Sequence, residues 1–97
     1  MNLEELRKHK PAIQNLAKIY KIDPDTIRVF GSVARGESSE NSDIDLLVRT
    51  LPNCGLFDLG GIYADLTDLL HCKVDVVPDD SIRPRLAPYI LKDAILL

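Results

Sequence analysis

The chain has no tryptophan, one methionine and only two cysteines among 97 residues, and each scarcity narrows what it can be. Cys54 and Cys72 have no CxxC partner, so neither a disulfide framework nor a thiolate zinc site is supported. Both read as reduced, largely buried thiols. Long apolar runs are also missing: nothing approaches the roughly 18 residues of a bilayer span. Met1 leads into a charged amphipathic stretch rather than a secretory signal, which points to a cytoplasmic protein with no membrane association. Excess positive charge is absent too. A net charge of -3 argues against general nucleic-acid binding, which needs clustered Lys and Arg to displace counterions. His9 and His71 lack carboxylate or thiol neighbours at ligand spacing and read as surface or helix-end residues.

What is present is an ordinary globular balance, 45% hydrophobic and 28% charged, in a length that supports one core. One domain over residues 1–97 is expected. Leu3, Leu6, Ile13, Leu16, Ala17 and Tyr20 recur at helical spacing and predict one amphipathic helix from Asn2 to Tyr20. Pro24 and its flanking aspartates break it. "TIRVF" predicts a first strand that stops at Gly31, and residues 32–35 a short helix at its end. "GESSENS" has no apolar residue and reads as a surface loop.

"DIDLLVR" then predicts a strand with Ile44, Leu46 and Val48 on one face and Asp43, Asp45 and Leu47 on the other. "LFDLGGIYADLTDLLH" predicts a long helix despite Gly60 and Gly61, and "KVDVV" a third strand closed by Pro78. The tail predicts a helix from about Pro84 to Lys92 and a short edge strand at Ile95–Leu97. Leu56, Phe57, Ile90 and Leu91 are expected mainly as core packing. The order αβαβαβα favours a mixed α/β (α+β) fold, a small mixed β-sheet with helices packed mainly on one face.

The chemistry lies in three aspartates. Side chains repeat every second residue along a strand, so Asp43 and Asp45 point the same way, and Asp75 joins them if its strand lies alongside. Carboxylates within ~5 Å repel by roughly 3 kcal/mol per pair even at an effective dielectric constant near 20. A divalent cation removes that cost, and an all-oxygen site with room for water and phosphate suits Mg²⁺. Gly31 permits a close backbone approach, and the Ser32 hydroxyl and the amides of the next turn can donate to a phosphate. Arg35, one turn on, is the best-placed cation for that phosphate, or else a salt-bridge partner of Glu37 or Asp43. A metal site beside a phosphate cradle is what phosphoryl or nucleotidyl transfer needs.

At these residues the chain resembles the nucleotidyltransferase superfamily that includes DNA polymerase beta. "GSVARGESSENSDIDLLV" is similar, more narrowly, to the minimal nucleotidyltransferases (MNT domains), the MntA-like antitoxins found beside HEPN-domain toxins. The likeness covers nearly the whole chain and implies the polymerase beta-like palm fold. By that resemblance Asp43, Asp45 and Asp75 are catalytic and bind two Mg²⁺ ions, while Gly31, Ser32 and Arg35 hold the nucleotide. It further implies transfer of AMP from ATP to a hydroxyl, a tyrosine by expectation, on a HEPN toxin, within a homo- or hetero-oligomer. Two alternatives stand beside it: a non-catalytic module that neutralises a HEPN partner by binding, and a nucleotidyltransferase acting on a small molecule such as an antibiotic.

Overall fold

A computed structural model describes residues 1–39 and 41–97. Its elements are α1 (Leu3–Lys8), α2 (Lys10–Ile19), β1 (Arg28–Phe30), α3 (Gly31–Arg35), β2 (Ile44–Val48), α4 (Leu56–Leu70), β3 (Val74–Pro78), α5 (Ala87–Asp93) and β4 (Ile95–Leu96). The loop expected over Gly36–Ser42 includes Glu40, which lies outside the described residues.

The first helix is two helices. Pro11 has no N–H to donate back to Arg7, so α1 closes at His9, whose amide reaches only to Leu6, and α2 restarts from the His9 carbonyl. Asn2 caps α1 by accepting from the Glu5 amide at 2.8 Å, with Glu4 and Glu5 in the favourable first turn. The last helix begins later than Pro84. A turn first closes from the Leu86 amide to the Arg83 carbonyl, and Pro88 occupies the helix start, where its missing donor costs nothing.

The four strands run β3-β2-β1-β4. β1 is antiparallel to both β2 and β4, and β2 is parallel to β3, so the sheet is mixed. The tail does form an edge strand: β4 pairs Ile95 with Val29, and the Leu97 amide bonds the Ile27 carbonyl. Arg7 reaches across from α1 to the carbonyls of Leu96 and Leu97.

One face of the sheet, Val29, Ile44, Leu46, Val48 and Val74, packs against Leu6, Ile13, Ala17, Ile62, Leu66 and Leu70 of α1, α2 and α4. Strand alternation thus sends the expected apolar residues of β2 inward. Leu47 turns to the opposite face, between Arg28 and Val77 in register, yet is 0% exposed. Two glycines within α4 carry different duties. A side chain at Gly61 would strike the ring of Tyr20, whose hydroxyl bonds Asp65, whereas Gly60 faces open space.

Leu56 and Phe57 are not core residues. They stand 86% and 97% exposed at the start of α4, and Leu91 of α5 is exposed as well. The helical periodicity that enlisted them runs past the point where α4 leaves the sheet. α5 has no buried residue and leans on β1 and α3.

Candidate active site

Asp45 and Asp75 occupy equivalent positions on parallel neighbours, with Ile44 opposite Val74 and Leu46 opposite Val76 on either side of them. Residues in register on adjacent strands point the same way, so both carboxyls rise from the face opposite the helical core. They share a hydrogen bond. Burial first, then the charge of Asp75, that hydrogen bond and the charge of Asp43 push the Asp45 carboxyl up from 3.8 to about 6, partly opposed by Arg35. The pair holds a proton more tightly than isolated carboxylates do.

Phe30 lies opposite Asp45 on the other side, and the chain then turns through Gly31 at φ +72°. A β-carbon at Gly31 would run into Asp45 Oδ2 and sit 3.2 Å from its Cγ. Gly31 therefore meets two demands, a left-handed backbone and contact with a carboxylate. Ser32 follows as the second residue of α3, and Val33 anchors that short helix in the core. The Gly-Ser turn is thus locked over Asp45 from one side while Asp75 flanks it from the other.

Asp43 is drawn elsewhere. It precedes β2, and continuing the parallel register one step brings it opposite Lys73, whose Nζ lies 3.6 Å from Asp43 Oδ2. Among the described residues no three carboxylate, histidine or cysteine groups stand together as a cation cage. The convergence expected of Asp43, Asp45 and Asp75 is therefore a close pair, with the third carboxylate tied to a lysine. Asn41, Ser42, Asp43, His71, Cys72 and Lys73 line a hollow of about 240 Å³ at the start of both strands. Burial raises the Cys72 thiol, so it remains neutral near pH 7.

Arg35 takes both partners that geometry allows it. Its Nε reaches Glu37 at 3.0 Å and its Nη1 reaches Asp93 of α5 at 2.6 Å. Glu37 and then Asp93 raise its pKa, while its charge is felt at Asp45. Lys73 and Asp93 were not singled out from the sequence. The lysine follows from register alone, since Asp43 and Lys73 precede residues that pair; nothing local in the tail points to Asp93.

The all-oxygen donor set fits a hard divalent cation: Asp45 and Asp75 are adjacent, their mutual repulsion is partly quenched by a proton, and Asp43 is one ion pair away.

A glycine-hinged turn over paired strand aspartates, on a small mixed sheet backed by helices, defines a nucleotidyl-transfer site. The chain belongs to the nucleotidyltransferase domain family, which matches residues 6–97, and it is a nucleotidyltransferase by class. It is 40% identical over 89 residues to a protein adenylyltransferase of Methanocaldococcus jannaschii, covering 92% of this chain and 83% of that one. The solved structure of a minimal nucleotidyltransferase superposes with a TM-score of 0.83 at 40% identity, over 100% of this chain and 97% of that one. A Shewanella oneidensis complex, the tri-AMPylated HEPN toxin with its MNT antitoxin, shares the fold with a TM-score of 0.67 at 20% identity, over 93% of this chain and 69% of that one. No helix among the described residues is long and apolar enough to cross a membrane.

Proposed function

We propose that the protein is a cytoplasmic protein adenylyltransferase of the antitoxin kind, moving AMP from ATP to a tyrosine hydroxyl of a HEPN toxin partner. The observation that carries this reading is the Asp45–Asp75 pair beneath the Gly31 turn, in a chain with 40% identity to a protein adenylyltransferase. The fold shared with an antitoxin bound to an AMPylated HEPN toxin supports the choice of partner.

In this reaction the acceptor oxygen attacks the α-phosphorus of ATP, a new P–O bond forms, the bond to the β,γ-phosphates breaks, and pyrophosphate leaves. Asp43 and Asp45 would hold two Mg²⁺ ions with Asp75 on the one nearest the acceptor; bound Mg²⁺ neutralises charge developing on the phosphate oxygens. Asp75 receives the acceptor proton. Asp43 exchanges Lys73 for the cation, a small rearrangement because that ion pair is half-exposed. Gly31 leaves room for the phosphate beside Asp45, and the Ser32 hydroxyl donates to it. Arg35 adds positive charge to the phosphate by leaving Glu37.

Incubation with labelled ATP, Mg²⁺ and a HEPN partner should label the partner. Asp43→Ala with Asp45→Ala should abolish it. Labelling that survives the double substitution would remove these residues from the reaction, and neutralisation without labelling would leave a binding module.

A further inference from the structure

The outward side of α4 is an apolar surface that nothing in the chain covers. Phe57 is 97% exposed, Leu56 86% and Ile19 67%, with Tyr63 and Leu51 also open. They form one neighbourhood. The Tyr20 ring packs on Gly61 of α4, the Cys54 thiol donates to the Tyr20 carbonyl, and the Leu51 amide bonds the Lys21 carbonyl, which brings Ile19 and Leu51 beside the first turns of α4. At roughly 150–200 Å² per large apolar side chain, these five expose on the order of 600 Å², the upper end of what a monomer's largest apolar patch shows.

The relief of this face is as informative as its area. Gly60 lies one turn beyond Phe57, is exposed, and has no atom within 4 Å of where a β-carbon would sit. Ala64, one further turn along, is small and exposed too. Phe57, Gly60 and Ala64 follow i, i+3, i+7 spacing and share one side of the helix. A knob and an open notch thus sit about one helical pitch, ~5 Å, apart on a single face.

Charge does not single out an oppositely charged partner. Among the described residues near this face, Asp58 is occupied by the Gly55 amide and Asp65 by the Tyr20 hydroxyl. A two-fold contact requires a patch complementary to itself, so that residue i of one copy meets j of the other and the reverse. Antiparallel packing of two α4 helices about Gly60 sets each Phe57 ring into the Gly60–Ala64 notch of its mate.

We infer that α4 is a self-association face whose occupant is a second copy of this chain. Burying ~600 Å² from each copy gives a total near 1,200 Å², the low end of specific interfaces, and implies a dimer of micromolar affinity rather than an obligate one. Its readout is mass, independent of nucleotide transfer.

Sedimentation equilibrium of the full chain from ~5 to ~500 µM should show the mass rising from 10.8 kDa toward twice that value. Phe57→Glu and, separately, Gly60→Arg should each weaken association at least ~10-fold while melting like the parent, because both positions are open to solvent. Leu91→Glu, at an exposed leucine of α5, should leave the dimer unchanged. A parent chain that stays monomeric throughout, a dimer that survives both α4 substitutions, or a dimer dissolved by Leu91→Glu instead would each overturn the assignment. So would a monomeric chain whose Phe57→Glu variant loses a different protein partner.

Discussion

Asp45 of β2 lies directly across from Asp75 of β3, and the two carboxyls share a hydrogen bond in the metal-free protein. Because burial and Asp75 hold the Asp45 pKa at about 6 against 3.8 when free, the folded state binds a proton that the unfolded chain has released between those values. Stability contributed by that proton is present at low pH and lost as pH rises through about 6. The full shift corresponds to about 3 kcal/mol, and partial solvent exposure cuts it to about 1–2 kcal/mol. Thermal melts in chelator should therefore show Asp45→Asn gaining on the parent between pH ~4 and ~7, by several degrees at the upper end. Parallel pH profiles for the two proteins would contradict a shared proton.

Mg²⁺ with ATP should reverse that trend in the parent. A ligand that binds only the folded state raises the melting temperature with its concentration, by about 2.7 kcal/mol at 100 times its dissociation constant. Asp43→Asn with Asp45→Asn should remove the rise. Scanning calorimetry at pH ~7.5, where the Asp45 proton is already gone, gives the largest contrast.

Gly31→Ala should fail twice. The left-handed backbone costs a residue with a β-carbon about 1–2 kcal/mol. The methyl also meets the Asp45 carboxylate, so the turn must move off the site. Urea unfolding should show about 1–3 kcal/mol lost, with transferase activity falling further than stability accounts for. Gly36 is also left-handed at φ +75° but faces open space, so Gly36→Ala should show only the backbone cost.

Gly61 gives a prediction far from the carboxylates. Gly61→Ala drives a methyl into the Tyr20 ring, pinned by its hydroxyl on Asp65, and should cost about 1–3 kcal/mol. Tyr20→Leu removes the obstacle, and the double variant should recover part of that loss. At high dilution Gly60→Ala should instead stabilise the chain by about 0.5–1 kcal/mol, as alanine does at an open helical position. Denaturant titration of the four variants measures both signs.

Much of this arrangement was legible in the residues. Alternation in "DIDLLV" told inward Ile44 and Leu46 from outward Asp45, and a matching "VDV" placed Asp75 alongside, because strand periodicity is a local property. Helix ends and faces were less legible. Pro11 divides α1 from α2 through a donor that a periodicity count ignores, and Phe57 keeps helical spacing while facing water. Asp43 shows the limit most clearly: sharing a strand face with Asp45 fixed its direction, but its partner Lys73 comes from register between segments some thirty residues apart.

Arg35 stands between Glu37 on its own loop and Asp93 on α5, and α5 has no side chain sunk in the core. That helix is thus moored chiefly by polar lines at its carboxyl end and can swing without tearing the β-sheet. Amide exchange across residues 87–93 should run fast while β2 stays protected. A bulky acceptor can then reach the carboxylates by lifting one exposed helix, with the rest of the fold left standing.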